Sequence, residues 1–276
     1  MQAIMVGMLA ETPLHPGSGQ SVGAIDLPVQ REATTDYPVI VGSSMKGALR
    51  SYSETAGHGA DVDRLFGLPE RIGEVGVTDA KILLLPLRTL SVPYVWVTCP
   101  LLLERFTRDL AMCGVRTDWE IPSVADGRVL TEAAKPGEPL FIEEYAYTVI
   151  EPGPQWLQMI NSLKPLLQHP EAQSRVSSQL AVISNVEFHH FAQFGLAIRA
   201  RNQLDAQKKS KNLWYEETLS PDTVFFFLCI ARAAGTSALA EIQRLFAVNP
   251  YLQIGGNESV GEGWCVLSNV DGEEEA

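Results

Sequence analysis

The chain reads as an α+β protein, a single domain over residues 1–276 with a ferredoxin-like β-α-β-β-α-β core and a large insertion. Two observations predict it. A buried strand, a helix and a second strand follow one another at the front, and a strand, a helix and a strand close the back. The core then comprises about residues 1–98 and 215–270, and residues 99–214 form an insertion with helices and a β-hairpin.

Ala3 to Ala10 is a short apolar run that enters a Pro/Gly loop, as a strand buried on both faces would. The stretch from His15 to Arg50 holds most of the polar chemistry: a Gly/Ser-rich loop with His15 and Asp26, then a helix start that Ser43 can cap. In a helix from Ser44 to Ala56, Met45, Ala48, Leu49, Tyr52 and Ala56 share an apolar face, and Gly57 is a stop. Lys46 and Arg50 lie four apart, towards solvent. Free N–H groups beside a Lys and an Arg make a ready phosphate site.

Gly73 and Gly76 bracket a turn into a strand from Val77 to Leu85, and Pro93 to Thr98 is a third strand. Pro100 suits the first position of a helix whose stripe of Leu103, Phe106, Leu110 and Cys113 ends at Gly114. Val115 to Pro139 shows no regular pattern, Pro139 to Ile150 alternates as a strand, and Trp156 to Leu167 is a helix that breaks near Pro165. Ala181 to Ala192 reads as a strand. Gly195 to Arg201 and Leu213 to Glu217 read as hairpin arms with basic residues at the tip.

Thr223 to Ala231 is the strongest strand signal. Ser237 then caps a helix with Leu239, Ile242, Leu245 and Phe246 on one face, stopped by Asn249-Pro250. Tyr251 to Ile254, the glycine loop GGNESVGEG and a strand from Trp264 to Val270 end the domain.

Composition narrows the function. With 276 residues and 46% apolar content the chain can bury a full core. A net charge of −12 argues against a free-standing nucleic-acid binder, which needs clustered Lys and Arg, but permits a local basic groove. Arg199 to Lys211 holds five bases against one acid, whereas Asp271 to Glu275 is an acidic, solvated tail. The cysteines, Cys99, Cys113, Cys229 and Cys265, lie far apart with no C-x-x-C pair, so buried thiols in a reducing cytoplasm are expected, with neither zinc nor disulfides. No export signal or membrane span is legible, and Arg232 interrupts the most apolar run, Val224 to Ala234.

Two motifs resemble known chemistry and fail on context. Ser43-Ser44-Met45-Lys46 spells the S-x-x-K of penicillin-binding enzymes, but no K-T-G triplet accompanies it. Gly255, Gly256, Gly261 and Gly263 suggest a nucleotide fingerprint, yet a strand follows where a helix must receive the phosphates. A hairpin turn that tolerates glycine is the plain alternative.

The blocks HPGSG, GAIDLPVQRE, YPVIVGSSMKGALR, VTDAKILLLPLRT, WVTCP and NLWYEETLSPDTVF, in this order before the glycine loop, resemble the RAMP superfamily of CRISPR RNA-binding proteins. They look like the repeated backbone subunit of type III-B (Cmr) effector complexes, which cuts target RNA. The resemblance implies that Asp26 is catalytic and binds a divalent metal, Mg²⁺ or Mn²⁺. It places Ser43, Lys46 and Arg50, with Gly255, Gly256, Gly261 and Gly263, around guide RNA, and Arg199 and Arg201 with the RNA-binding residues. His15, Tyr215, Glu216 and Glu217 match positions near the active site, and the hairpin around Asn202 to Asn212 matches a thumb that wedges into the guide–target duplex. The implied partners are guide RNA, target RNA, further copies of the chain and other Cmr subunits.

RNA cleavage can use the neighbouring 2′-OH as nucleophile, so the protein mainly holds that oxygen in line and stabilises charge. Asp26 would ligate the metal or act as base. His15 is either a general acid or a residue that positions its loop. His189 and His190, adjacent on an expected strand, would point to opposite faces, and so would Glu216 and Glu217, leaving one of each pair to address a site. The competing reading is a purely architectural RNA-binding filament subunit.

Overall fold

The structure is a computed structural model that describes residues 2–21, 23–55, 59–233 and 235–270. Strand β1 (Ala3–Ala10) is followed by β2 (Val39–Ile40), helix α1 (Gly42–Thr55), helix α2 (Gly59–Phe66) and a ribbon of β3 (Gly67–Leu68) and β4 (Arg71–Ile72). Then come β5 (Val75–Val77), β6 (Ala80–Arg88), β7 (Tyr94–Thr98) and α3 (Pro100–Met112). The middle of the chain supplies β8 (Arg128–Thr131), β9 (Pro139–Ile142), β10 (Tyr145–Ile150), α4 (Trp156–Leu163), α5 (Pro170–Gln179), β11 (Leu180–Val182) and α6 (Asn185–Phe194). A long hairpin of β12 (Ala197–Leu204) and β13 (Ser210–Thr218) precedes β14 (Val224–Ala231), α7 (Ala238–Val248), β15 (Tyr251–Gln253) and β16 (Trp264–Val270).

The core strands lie in the order β16-β1-β14-β6, each antiparallel to its neighbour. That is the ferredoxin-like arrangement: α1 sits in the connection from β1 to β6, and α7 in the connection from β14 to β16. Apolar runs in β1 and β14 are buried almost throughout because each strand has a partner on both edges and packed elements on its faces. The strands of the middle region extend the same sheet as β6-β7-β11-β8-β10-β9.

Most expected elements are present with small shifts. Helix α1 begins at Gly42, ahead of Ser43, because the Asp79 carboxylate, from the β5–β6 link, accepts the Gly42 N–H at 2.7 Å. The predicted end at Ala56 and Gly57 lies outside the described residues, as do Ala234 and the acidic tail. The second predicted strand is split: Thr78 interrupts it, bonding Leu228 through both its backbone N–H and its hydroxyl. Ser237 precedes α7, but its hydroxyl donates to Glu241, and Thr236 Oγ1 takes the Ala238 N–H instead. The buried stripe of α3, its end at Gly114 with φ +82°, and the break at Pro165 are as read from the sequence.

The stretch from Ala181 to Ala192 corrects the sequence reading. Only Leu180–Val182 is strand, and α6 follows. Ser184 and Glu187 form a reciprocal capping box, and Phe188, Phe191 and Ala192 are buried at helical spacing, so tertiary packing and the cap override the strand-like composition. His189 and His190 are therefore helical neighbours. His189 Nδ1 donates to the Thr35 carbonyl at 3.0 Å, and His190 Nε2 meets the Tyr145 hydroxyl at 3.0 Å. Pro139 to Ile150 is a hairpin that turns at Glu143, whose φ is +49°. Strand β8 and helix α5 have no expected counterpart: β8 has four residues without alternation, and α5 buries only Ala172, Val176 and Gln179.

The turn at Lys164–Leu166 lies directly on the core sheet. A Cβ added at Gly7 in β1 would stand 2.3 Å from the Leu166 carbonyl oxygen and 2.5 Å from its Cα, and Ser268 Oγ on β16 donates to the Pro165 carbonyl at 2.6 Å. Because the obstacle is backbone, a methyl group there forces the layers apart. Gly7→Ala is expected to destabilise the chain by about 1–3 kcal/mol. Urea unfolding measures this, and an unchanged midpoint would show that the turn lifts away freely.

Candidate functional site

The hairpin of β12 and β13 leaves the core at Glu216 to Thr218, and its register decides which side chains meet. Arg199 pairs with Glu216, Ala200 with Tyr215 and Arg201 with Trp214, so Arg199, Arg201 and Glu216 share one face. That face meets the glycine loop between β15 and β16. Glu262 from the loop accepts Arg199 Nη1 at 3.0 Å and Arg201 Nη2 at 2.7 Å. Arg201 Nε lies 3.4 Å from Glu216 Oε2, and Asn257 Nδ2 donates both to Glu216 and, at 3.0 Å, to Glu262. Glu216 and Glu262 are buried, and Arg199 and Arg201 neutralise them.

Glycine is required where this loop crosses the His15 segment. Gly255 has φ +95°, and a Cβ there would lie 2.7 Å from the His15 carbonyl oxygen, which accepts the Gly256 N–H at 2.8 Å. Gly256 itself lies against the His15 ring, while Gly261 and Gly263 take positive φ. The loop is thus a hairpin connection laid on the first loop of the chain, with no following helix.

Asp26 is exposed beside the root of the hairpin, and its Oδ2 accepts the Tyr215 N–H at 2.8 Å. Leu27 bridges Glu216 in parallel fashion: Leu27 N–H donates to Tyr215 O at 3.1 Å and Glu217 N–H to Leu27 O at 3.0 Å. Glu217, on the opposite face from Glu216, is also buried. Its carboxylate accepts the Val29 N–H at 3.0 Å and Arg31 Nη2 at 2.8 Å, and its carbonyl accepts His15 Nδ1 at 2.7 Å. A carbonyl only accepts, so Nδ1 carries the proton and Nε2 remains for other chemistry.

A groove of about 950 Å³ runs between these loops and α1. On one side lie His15, Gly255 and Gly256, on the other Ser44, Gly47, Ala48 and Ser51. Helical spacing puts Ser43, Lys46 and Arg50 on a different face of α1 from these four. Arg50 is also not directed freely to solvent. It holds the Gly67 carbonyl at 2.6 Å, Glu54 at 3.0 Å and Asp63, which ties α1 to α2. The phosphate site expected at the start of α1 already holds the Asp79 carboxylate.

The structure therefore brings His15, Asp26, Tyr215, Glu216, Arg199, Arg201 and the glycine loop together, and leaves Ser43, Lys46 and Arg50 on the far flank of the helix. Sequence reasoning missed Arg31, Asn257 and Glu262. Their signal was their place inside the blocks GAIDLPVQRE and GGNESVGEG, but a side chain's partner is not legible from a block.

Among the described residues no group of three or more His, Cys, Asp or Glu could hold a metal ion. A hydrated divalent cation needs only one or two carboxylates when water and phosphate supply the rest, and Asp26 fits as one such ligand. Glu216 and Glu217 do not fit, since both are buried and engaged by Arg201, Asn257, Arg31 and Val29.

The RAMP superfamily model matches residues 8–266. A curated relative from Pyrococcus furiosus, the CRISPR system Cmr endoribonuclease Cmr4, is 35% identical over 97% of this chain and 96% of its own. A second, the CRISPR system CMR subunit Cmr4 of Saccharolobus solfataricus, is 25% identical over 92% of each chain. The crystal structure of oligomeric Cmr4 from Pyrococcus furiosus superposes with a TM-score of 0.80 at 30% identity, covering 99% of this chain and 100% of that one. With the family model spanning nearly its whole length and its ferredoxin-like core in place, the chain belongs to the RAMP superfamily, among its Cmr4 members.

Proposed function

We propose that this chain is the repeated backbone subunit of a type III-B CRISPR effector, that it binds guide RNA and multimerises along it, and that it cleaves bound target RNA at regular intervals. The observation that carries the reading is the position of Asp26. An exposed carboxylate is fixed by the Tyr215 N–H at the root of a projecting hairpin, beside a groove lined with small residues. The endoribonuclease name of the Pyrococcus relative supports the activity, and the oligomeric Pyrococcus structure supports self-association. Other Cmr subunits and the cytoplasm complete the setting. No helix among the described residues is long and apolar enough to cross a membrane.

In this reading guide RNA lies along the groove, where Gly47, Ala48 and the glycine loop permit close approach of its backbone and Ser44 and Ser51 offer hydroxyls. Lys46, which has no hydrogen-bond or ion-pair partner among the described residues, contributes long-range attraction from the flank, Ser43 offers a hydroxyl there, and Arg50 mainly braces α1. The hairpin displaces a nucleotide of the target so that its 2′-OH lines up with the phosphorus. Alignment of this kind contributes up to about 7–11 kcal/mol in the best intramolecular reactions. Asp26 then takes the hydroxyl proton or orients the attacking group, and His15, anchored through Nδ1 on the Glu217 carbonyl and lining the groove, is either the general acid for the leaving oxygen or the residue that positions its loop. A Mg²⁺ or Mn²⁺ ion brought with the RNA, with Asp26 as its one carboxylate, would neutralise phosphate charge. Since the net charge is −12, single copies are expected to bind RNA weakly and to gain avidity on multimerising.

Asp26→Ala in the reconstituted, guide-loaded complex is expected to lower target cleavage by about a hundredfold or more, with assembly and guide binding retained. Cutting at the wild-type rate and pattern would instead leave an architectural subunit. Shortening the hairpin between Arg201 and Leu213 with Asp26 intact should abolish or blur the cuts while guide binding persists. Gel mapping of the products checks this, and sharp cuts at the original spacing would show that the displacement is made elsewhere.

A further inference from the structure

We propose that Arg31 and Glu217 are a positioning pair for Asp26, a role that rests on the reading that Asp26 acts on target RNA. Asp26 lies in a segment that contains only isolated bridges and turns between β1 and β2, so no regular element fixes it. Among the described residues its side chain has one partner, the Tyr215 N–H, and one bridge, Leu27 to Glu216, sets its register on the hairpin. The Tyr215 bond is at the surface, and the bridge runs along the backbone of buried Glu216 and Glu217. The Glu217 side chain adds a hold from beneath.

One oxygen of Glu217 accepts the Val29 N–H, three residues beyond Asp26, and the other takes Arg31 Nη2, five residues beyond it. Arg31 Nη1 in turn donates to the Asp36 carbonyl at 2.9 Å, where the segment turns back, and to the Ala192 carbonyl at 2.7 Å, in the last turn of α6. A single ion pair, its carboxylate buried and its guanidinium partly so, thus joins the acid-bearing segment, the hairpin root and the helix that leads into the hairpin. The side chains are 16% and 4% exposed, so the attraction is little screened. Arg31 lines a cavity with Glu32 and Arg105, not the groove between α1 and the glycine loop, and its guanidinium is engaged by protein groups, which separates it from the residues that would touch RNA.

Removing the cation leaves the buried Glu217 carboxylate with the Val29 N–H but without its charge partner, so it must shift towards solvent or draw in water. Either change loosens its hold on Val29. Displacement of a reacting group by about 1 Å can lower a rate by about a hundredfold. Arg31→Met and Glu217→Gln should therefore lower the single-turnover cleavage rate of the guide-loaded complex by about tenfold to a hundredfold, with target Kd and guide binding unchanged. Arg31→Lys should fall between, because an ammonium reaches Glu217 but does not span both carbonyls.

Hydrogen exchange on the full chain supplies a readout independent of activity. Fragments that contain Tyr215, whose N–H reports on Asp26, should exchange faster in Arg31→Lys while fragments of β1 and β14 stay protected. Equal acceleration everywhere, or failure of the Lys variant to assemble, would assign the pair to general stability and overturn the proposal. Wild-type cleavage by Arg31→Met and Glu217→Gln, in a complex that Asp26→Ala inactivates, would also overturn it and leave the reading of Asp26 intact. Undiminished cutting by Asp26→Ala would remove that reading and the positioning role together.

Discussion

Two adjacent carboxylates, Glu216 and Glu217, are buried where the hairpin joins the core, and the local architecture follows from that constraint. Taking a carboxylate out of water costs several kcal/mol unless a cation and hydrogen-bond donors meet it. Strand alternation sends the two side chains to opposite faces, so one cation cannot serve both. Glu216 meets Arg201 and Asn257, and Glu217 meets Arg31 and the Val29 N–H. Each carboxylate thereby recruits a loop: the glycine loop on one face and the Asp26 segment on the other. His15 links them, with its ring against Gly256 and its Nδ1 on the Glu217 carbonyl.

The same pairing bears on how an acidic chain would approach RNA in the proposed function. Arg199, Arg201 and Arg50 would look from sequence like a phosphate-binding set, yet each is held by a carboxylate of the chain itself. What the groove presents instead is close-approach surface and polar donors: Gly47, Ala48, Ser44, Ser51 and the loop glycines. Sites of that kind recognise a backbone by shape and hydrogen bonding and depend less on counterion release than a cluster of free cations does. Weak attraction per copy is compatible with tight binding when many copies engage one strand.

The core was legible because its signals were local and mutually consistent. Ala3 to Ala10, the Pro100 helix start, the Ala238–Val248 stripe and the last strand each combine a hydrophobic period with a turn or cap. The reading failed where tertiary contacts decide. Composition made Ala181 to Ala192 strand-like, but the S-x-x-E box at Ser184 and the burial of Phe188 and Phe191 made it helical. Of the site, His15, Asp26, Glu216 and the glycines were found through block resemblance. Arg31, Asn257 and Glu262 were not, because their meaning lies in partners that are between 5 and 186 residues away. That Ser43, Lys46 and Arg50 lie away from the groove was hidden for the same reason. Helical period gives the apolar side correctly, but which of the remaining faces borders a groove depends on where β15 and the glycine loop lie.

The hairpin root also explains why a loop residue can serve where reaction geometry is demanding. Alternation that buries Glu216 turns Tyr215 outward, and with it Ile198 and Leu213, which are more than half exposed. Asp26 is bonded to the backbone of that outward residue, so its carboxylate is referenced to the hairpin and not to the sheet beneath. If the hairpin tilts as it meets RNA, Asp26 tilts with it. A carboxylate projecting from a core strand would keep its place in the sheet while the displaced nucleotide moved. In the proposed reaction, attachment to the hairpin would instead preserve the distance between acid and displaced nucleotide, and the ion pairs at Glu216 and Glu217 would limit the tilt without the rigidity of a continuous strand.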